Sequence, residues 1–384
     1  MTLAIHGGKP VRRLPMPPRP PYGIAERNAA NSVVASGNLS GFLANPGEAF
    51  LGGPKVRDLE AAFCEKFGVK YAVAMNSGSS CLDGAVKALG IGPGDEVIVT
   101  PWSMSASATC VLKAGATPVF ADIEPETYGL DATSVAKAVT PKTRAIVLVD
   151  LFGCPARDTG EIATWGIPII EDAAQAVGAS AFDLLAGTCA DIGVFSLNRH
   201  KTIECGEGGI AVATQSNLAQ RLRDYRNHGE VRRGMLGGNY RLPEVSAAIA
   251  EVQLDRLEEL TEPRIYNAGR LTEVLSELDG ITPPHVPEGL RHVYYLYAVR
   301  VPDAANWAKA LTAEGIPTST YVEPLYHLPA FLPSGSPKQH WCPEAERACR
   351  EVVVIPHVHA GMTDGDIDDA MAAFVKIWRN RGAL

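Results

Sequence analysis

The sequence has no long apolar run and no surplus of basic residues, and each absence excludes a class of protein. No stretch approaches the ~18 consecutive apolar residues that a membrane-spanning helix needs, which predicts a chain without transmembrane segments. The formal net charge is −8, from 35 basic and 43 acidic residues. A chain with this balance lacks the electrostatic footprint of a nucleic-acid-binding or membrane-surface protein, so we expect neither partner.

Paired cysteine motifs are also missing. The eight cysteines are scattered without a CxxC pair, which argues against zinc ribbons and against a disulfide framework. His357 and His359 alternate, but no carboxylate or cysteine stands at ligand spacing, so no metal site is predicted. Reduced thiols in a cytoplasmic enzyme are the favoured interpretation of these cysteines: Cys64, Cys81, Cys110, Cys154, Cys189, Cys205, Cys342 and Cys349.

The chain is long enough for one large domain and a smaller one. Its 384 residues are 46% hydrophobic and 20% charged, which is ordinary for a globular protein. We predict an extended arm over residues 1–23, a large domain over 24–260 and a smaller C-terminal α/β domain over 261–384. The arm is rich in proline and could lie on its own domain or on a partner subunit.

Beyond the arm, helical and strand patterns alternate. Tyr71–Met75, Glu96–Val99 and Ala145–Val149 are short apolar runs, typical of strands buried on both faces. With helices between them, they predict an α/β fold with a mainly parallel sheet and helices on both faces. Val194–Leu197 and Gly209–Ala213 are too close for a crossover helix, so one of that pair is expected to run antiparallel.

Three element boundaries are predicted from local signals. Ser80 and Asp83 have the spacing of a capping box near the start of a helix over Ser79–Leu89. Pro243–Leu260 predicts one long amphipathic helix leading to the second domain. Tyr294–Val301 predicts a strand in that domain.

Lys201 lies between a short apolar strand and a glycine-rich turn. Most lysines are exposed, and a lysine taken at random should be interpreted that way. A lysine flanked by apolar strands and glycines can instead be held in a cleft, where desolvation lowers the pKa of the amine and makes it nucleophilic. Gly206, Gly208 and Gly209 permit close backbone approach at this point.

Two further loops follow strands, where ligands bind in open α/β sheets. Asn76–Ser80 places backbone N–H groups and hydroxyls at a helix N-terminus, which favours a phosphate, although alone it is better explained as an ordinary N-cap. Glu171 and Asp172 follow an apolar run and are costly to bury without partners. An ionised Asp172 can face a protonated pyridine nitrogen; a helix N-terminal acidic pair explains this segment equally well on its own.

A phosphate cradle, an acid for a ring nitrogen and an amine for an aldehyde together describe pyridoxal phosphate. From about Gly52 onward, the sequence resembles the DegT/StrS-type (sugar or secondary-metabolite) aminotransferases, which have the aspartate aminotransferase fold, fold type I. The resemblance rests on motifs in matching order: Gly90–Val99, Glu171–Gln175, Phe195-Ser196 leading to Lys201, Gly206–Gly209 and Asn239-Tyr240-Arg241.

The resemblance implies roles around the cofactor ring. Lys201 would hold the cofactor as a Schiff base, Asp172 would pair with the pyridine nitrogen, and Gln175 would lie near the phenolic oxygen. The family usually stacks an aromatic side chain on the ring, two residues after another aromatic. Here that pair is Trp102 and Met104. Met104 occupies the stacking position, and the sequence leaves open whether Trp102 has moved in instead.

The resemblance also implies a phosphate site shared between subunits. Gly78, Ser79 and Ser196 would hold the phosphate within one subunit. A residue matching Asn239 reaches the phosphate from the neighbouring subunit in the family. A homodimer with shared active sites is therefore expected.

These features predict a pyridoxal-phosphate-dependent aminotransferase. It would move an amino group from glutamate or glutamine to a ketone of a nucleotide-linked sugar, a cyclitol or a related secondary-metabolite intermediate. One alternative is a sugar dehydratase, although those relatives tend to carry His where this chain has Lys201. The other is a non-catalytic, cofactor-binding regulatory protein. Substrate contacts could come from side chains that packing or surface roles explain at least as well: Arg199, His228, Tyr321 and His327.

Overall fold

The computed structural model describes residues 2–20, 22–230, 235–331 and 342–384, and these form a mixed α/β structure. The helices are α1 (Ile24–Ser36), α2 (Pro54–Phe67), α3 (Gly78–Ala88), α4 (Ala106–Lys113), α5 (Ala132–Ala138), α6 (Thr159–Ala163), α7 (Ser216–Arg226), α8 (Glu244–Asp255), α9 (Leu257–Ser276), α10 (Ala304–Ala313), α11 (Pro343–Glu351) and α12 (Asp364–Arg379). The strands are β1 (Tyr71–Met75), β2 (Glu96–Val99), β3 (Thr117–Phe120), β4 (Thr143–Val149), β5 (Ile169–Asp172), β6 (Ser180–Ala181), β7 (Leu184–Leu185), β8 (Ile192–Ser196), β9 (Gly209–Ala213), β10 (Leu290–Arg291), β11 (Tyr297–Arg300), β12 (Ser319–Thr320) and β13 (Val352–Ile355).

The largest sheet has seven strands in the order β1-β9-β8-β5-β4-β2-β3. Strands β2, β3, β4, β5 and β8 pair in parallel, whereas β9 pairs antiparallel with both β1 and β8. The strands are rich in Val, Ile and Ala and are buried, because helices cover both faces of the sheet. The predicted α/β fold with its mainly parallel sheet is confirmed, as is the antiparallel member of the β8–β9 pair.

Sheet order brings three strand ends together. β5 ends at Asp172 and lies beside β8, which ends at Ser196. β1 ends at Met75, is separated from β8 by β9 alone, and leads into α3. Because these strands point the same way, the loops that follow them meet at one edge of the sheet. The segment between β8 and β9, residues 197–208, is called the lysine loop below.

The C-terminal part of the chain builds a second, smaller sheet, β11-β13-β12, flanked by α10 and α12. Its hydrophobic core includes Leu3 and Met16, so the N-terminal arm lies on its own chain. Met1 and Pro21 of the predicted arm are outside the described residues. Helix α9 runs through residue 260 without a break, and the division into domains at that residue stays a prediction.

The predicted capping box of Ser80 and Asp83 is wrong. Helix α3 has its N-cap at Ser77, whose Oγ accepts a hydrogen bond from the backbone N–H of Ser80 at 3.1 Å. The helix starts at Gly78, one residue earlier than expected, because Ser77 is the residue that caps it. The Asp83 carboxylate instead accepts a hydrogen bond from Lys113 Nζ at 2.9 Å.

The single long helix predicted over Pro243–Leu260 is also wrong. The chain leaves the helical conformation at Arg256 (φ −88°, ψ 6°), where α8 ends and α9 begins. The Arg256 guanidinium binds Glu26 of α1 and Glu259 in the first turn of α9. The ion pair with Glu26 connects Arg256 to a neighbouring helix. Helical periodicity does not reveal a tertiary contact of this kind.

The strand predicted to begin at Tyr294 begins at Tyr297. Tyr294 has a φ of 48°, in the left-handed region, which a β-strand cannot contain. Tyr295 therefore lies in the turn before β11, and its ring is directed at Lys201 instead of entering the strand.

The described residues contain neither a membrane-spanning helix nor a metal-binding cluster. Among the described residues, no helix combines the length and apolarity needed to cross a membrane. Within the same residues, no group of three or more His, Cys, Asp or Glu side chains is placed to hold a metal ion. All eight cysteines are free thiols.

Candidate active site

A cavity of about 170 Å³ opens where the ends of β5 and β8 meet the N-terminus of α3. Ser77, Asn198, His200 and Glu207 contribute to its wall. Most of the residues predicted from the sequence also line it, although they come from distant parts of the chain. They are Gly78, Ser79, Met104, Asp172, Gln175, Ser196 and Lys201.

The first turn of α3 and the end of β8 approach closely at one end of the cavity. A Cβ added to Gly78 would lie 3.0 Å from the Cβ of Ser196, and one added to Gly209 would lie 2.5 Å from the Gly78 nitrogen. Glycine at both positions is what permits this approach. The result is a helix N-terminus and the Ser79 and Ser196 hydroxyls on one wall, an arrangement suited to an anion such as phosphate.

Asp172 is buried at the end of β5, with 6% of its surface exposed. Ser107 Oγ donates a hydrogen bond to Oδ2 at 2.8 Å, and the backbone N–H of Ala174 donates to Oδ1 at 3.2 Å. Burial raises the pKa of Asp172, while the Ser107 and Ala174 hydrogen bonds and the charge of Lys201 act in the opposite direction. The carboxylate has further acceptor capacity, so it can receive a cationic N–H from a ligand.

The side chain of Lys201 enters the cavity from the lysine loop. Burial lowers the pKa of its amine to about 8; Asp172 opposes this shift and Arg19 adds to it. The Nζ atom lies 4.6 Å from the centroid of the Tyr295 ring. An amine with this pKa is partly unprotonated in mildly basic solution, so it can act as a nucleophile and as a base.

The amide of Gln175 is oriented by two hydrogen bonds. Its Oε1 accepts from the backbone N–H of Phe152 at 2.9 Å, and its Nε2 donates to the Tyr321 hydroxyl at 3.2 Å. Tyr321, a candidate substrate contact, therefore supports a residue of the cavity wall. The arrangement leaves the amide facing the same space as Asp172 and Lys201.

Met104 and Trp102 have different positions. Met104 lines the cavity and is 53% exposed. Trp102 is fully buried, and its indole Nε1 donates to the carbonyl oxygen of Val322 at 2.8 Å. Its ring packs edge-on against three other aromatic rings: Tyr128, Phe152 and Tyr321. Met104, and not Trp102, borders the space that a ligand would fill.

The remaining predicted residues lie outside this cavity. Asn239 is exposed, and its backbone forms an isolated antiparallel β-bridge with Asn227. Arg199 and His228 are also exposed. His327 is exposed and pairs with Glu346 at 2.9 Å. Within this chain, none of these four candidates is brought to the cavity.

Three residues at or beside the cavity were not found from the sequence. They are Ser107, which orients Asp172; Tyr295, whose ring faces Lys201; and Arg19, whose Nη1 donates to the carbonyl oxygens of His200 and Lys201. Each comes from a separate element and reaches the site through tertiary packing. No local motif marks any of them.

The groups present fit pyridoxal phosphate. The helix N-terminus of α3 suits its phosphate, the buried Asp172 suits its ring nitrogen, and the amine of Lys201 suits its aldehyde. All three face one cavity. This combination is far more specific than any of the three alone.

Comparison with known proteins gives the same answer. Residues 43–375 match the model of the DegT/DnrJ/EryC1/StrS aminotransferase family. GDP-perosamine synthase from Caulobacter vibrioides is 36% identical, over 83% of this chain and 89% of its own length. L-glutamine:2-deoxy-scyllo-inosose aminotransferase from Streptomyces paromomycinus is 33% identical, over 100% of this chain and 99% of its own.

This chain is also similar to a second curated relative and to a solved structure. A pleiotropic regulatory protein from Geobacillus stearothermophilus is 36% identical, over 80% of this chain and 85% of its own. The crystal structure of an aminotransferase from Psychrobacter cryohalolentis superposes with a TM-score of 0.88 at 28% identity, covering 95% of this chain and 99% of that one. The chain belongs to the DegT/DnrJ/EryC1/StrS aminotransferase family and is a pyridoxal-phosphate-dependent aminotransferase.

Proposed function

We propose that the chain transfers an amino group from glutamate or glutamine to the ketone of a nucleotide-linked sugar, a cyclitol or a related secondary-metabolite intermediate. The observation that carries the proposal is the buried amine of Lys201, which shares its cavity with Asp172 and the start of α3. The choice of acceptor is supported by two relatives that match most or all of the chain. One is named as a perosamine synthase and the other as a cyclitol aminotransferase that uses glutamine.

In this proposal, four residues contact the aromatic part of the cofactor. Lys201 binds the aldehyde, Asp172 faces the ring nitrogen, and Gln175 lies near the phenolic oxygen. Met104 packs its thioether against the ring face, a contact that sulfur makes favourably. The supporting observations are that all four side chains line the cavity and that Trp102 does not.

Gly78, Ser79 and Ser196 hold the phosphate within the subunit, and Asn239 of the partner subunit completes its binding. The chain then works as a homodimer with shared active sites. Asn239 is exposed and lies outside the cavity of its own chain, as a residue that serves the partner would. A cytoplasmic location stays a prediction, in keeping with cysteines that form no disulfide.

Pyridoxal phosphate, when bound, supplies the carbonyl that accepts the amino group and the ring that stabilises negative charge on the substrate carbon. The chain's own residues do the rest. The Nζ of Lys201, when it is not bonded to the cofactor, would be the general base that takes the proton from the substrate carbon and the general acid that gives it back. Asp172, whose Oδ2 accepts a hydrogen bond from Ser107, would face the ring nitrogen and favour its protonated form.

The test is the release of 2-oxoglutarate from glutamate, or of the 2-oxo acid of glutamine, with a panel of keto-sugars and keto-cyclitols as acceptors. The purified protein is expected to yield one equivalent of oxo acid per amine formed. Lys201→Ala should abolish this exchange, whereas Lys137→Ala, at an exposed position in α5, should not change it. Exchange that persists in Lys201→Ala protein would rule out the proposed role of this lysine.

The same assay separates the two alternative functions. A dehydratase would consume its sugar without forming any oxo acid from the donor. A regulatory protein would bind the cofactor and release no product with any acceptor; one relative with a regulatory name makes this control necessary. The presence of Lys201 in the cavity, beside Asp172, favours transamination over both.

A further inference from the structure

The N-terminal arm is fixed to the C-terminal part of its own chain. Glu314 at the end of α10 accepts hydrogen bonds from the backbone N–H groups of Ala4 at 2.8 Å and Val11 at 3.0 Å. Arg12 forms an ion pair with Asp366 of α12 at 2.8 Å. Buried apolar side chains of the arm join the same core. The arm is therefore a packed element of this chain, and what it contacts further along is held in place.

Further along, the arm meets the lysine loop. Arg19 Nη1 donates to the carbonyl oxygens of both His200 and Lys201, the latter at 3.1 Å. Tyr22 and Glu204 of the same loop line one small pocket together with Arg19 and Lys201. The side chain of Arg19 is partly buried against the loop. Arg19 thus holds the backbone of the loop by hydrogen bonds, and Tyr22 lies close to its side chains.

The hydrogen bonds from Arg19 to these two carbonyl oxygens affect the direction in which the side chain of Lys201 points. The backbone N–H of Lys201 donates to the carbonyl oxygen of Asn198 at 2.8 Å. With the peptide groups on both sides of Lys201 hydrogen-bonded, the direction of its Cα–Cβ bond is set. Without the hydrogen bonds from Arg19, the carbonyl groups of His200 and Lys201 would lose this restraint.

We propose that Arg19 is a positioning residue for Lys201, which holds the lysine loop so that the amine stays in the cavity beside Asp172. The proposal rests on the proposed function of Lys201 as the cofactor lysine. Arg19 does not line the cavity, so it would contact neither substrate nor cofactor. It acts instead through its hydrogen bonds to the backbone of the loop.

Arg19 also contributes a positive charge near the amine of Lys201, which disfavours the protonated form and lowers its pKa. Other ionisable groups face the same region and set the background for any titration. They are Asp172 from β5, Tyr22 from the arm, Tyr295 from the turn before β11, Arg264 from α9, His359 before α12, and Arg199, His200, Glu204 and Glu207 from the lysine loop.

The test compares Arg19→Gln and Arg19→Lys with Arg13→Gln, which removes the same charge from an exposed position in the same arm. Two quantities are measured. One is the dissociation constant of pyridoxal phosphate, from equilibrium titration. The other is the pH midpoint for acylation of Lys201 in cofactor-free protein, from peptide mass spectrometry, expected near pH 8 in the unaltered chain.

Arg19→Gln should raise the dissociation constant roughly tenfold, the loss expected for a charge-assisted hydrogen bond. It should also move the acylation midpoint upward by about half a pH unit, since a nearby cation is lost. Arg19→Lys keeps the charge, but its shorter side chain reaches at most one carbonyl. It should weaken cofactor binding to a smaller extent and leave the midpoint unchanged.

Arg13→Gln should match the unaltered chain in both quantities. The proposal is overturned if Arg19→Gln binds the cofactor as Arg13→Gln does. If the glutamine variant does not fold, unaltered cofactor affinity in Arg19→Lys overturns it equally. Borohydride reduction of the loaded, unaltered protein followed by peptide mapping tests the proposed function separately, because it shows whether the cofactor is attached to Lys201 at all.

Discussion

At Lys201, burial and the neighbouring Asp172 act on the same proton in opposite directions. Burial disfavours the charged ammonium, and the carboxylate favours it; burial is the larger effect and brings the pKa to about 8. In the unfolded chain the pKa returns to 10.5. The cofactor-free protein therefore carries a buried positive charge at neutral pH, which opposes folding.

This difference gives stability a specific pH dependence. Between pH 8 and 10.5 the unfolded chain binds more protons than the folded one, so this group makes the free energy of unfolding rise with pH over that window. Lys201→Met in the cofactor-free protein should remove the rise and increase stability at pH 7 by on the order of 3 kcal/mol. Denaturant unfolding at several pH values measures this, with Lys137→Met as the exposed control. A rise of unchanged size in Lys201→Met would contradict the assignment.

The hydrogen bond from Ser107 lowers the pKa of Asp172, against the larger effect of burial. Ser107→Ala removes the hydroxyl that donates to Oδ2, so the pKa of Asp172 should rise further and the carboxylate should stabilise a cationic ring nitrogen less well. The rate of the glutamate half-reaction should fall roughly tenfold, the effect of one hydrogen bond to a buried charge. Stopped-flow absorbance measures it. Ser105→Ala, in the same segment but without a hydrogen bond to Asp172, should leave the rate unchanged.

At this scale, the sequence predicts residues that carry a motif and misses those that do not. Asp172 and Lys201 follow apolar strands, so their position at the sheet edge could be anticipated. Ser107, Tyr295 and Arg19 reach the same place from other elements, and nothing in their immediate sequence distinguishes them. Their contacts depend on how helices and turns pack.

At the scale of elements, the site depends on how closely α3 approaches β8 and β9. Gly78→Ala would place a methyl group 3.0 Å from Ser196 Cβ, tighter than an ordinary contact. We expect the helix to shift and pyridoxal phosphate affinity to fall roughly tenfold, with a loss of about 1–3 kcal/mol in the free energy of unfolding. Cofactor titration and denaturant unfolding check both effects. Gly92→Ala, where an added Cβ meets nothing within 4 Å, should change neither.

The type of each long element followed from apolar periodicity, but three boundaries did not: the start of α3, the break at Arg256 and the start of β11. The break at Arg256 depends on an ion pair with Glu26, which lies far away in the sequence. The start of β11 depends on the left-handed conformation of Tyr294. The ion pair in one case and the left-handed residue in the other act against the local pattern, so periodicity alone extends the helix and the strand too far.

At the scale of the whole molecule, shared active sites predict a specific result of mixing two inactive variants. If the sites are shared as proposed, Lys201→Ala should disable a subunit's own site, and Asn239→Ala should disable the site of its partner. Random exchange of subunits gives mixed dimers in half of the population, each with one intact site, so about a quarter of the unaltered activity should return. Activity after unfolding and refolding the mixture measures this. If Asn239 serves its own site, or if the chain is a monomer, mixing restores nothing.

The antiparallel pairing of β8 with β9 has a consequence for how this enzyme family can diversify. Adjacent antiparallel strands can be joined by a connection of almost any length, whereas parallel neighbours need a long crossover. The lysine loop can therefore change in length and residue type without altering strand order or register elsewhere in the sheet. Residues of the loop other than Lys201 can change while β8 and β9, which hold the two ends of the loop, keep their pairing.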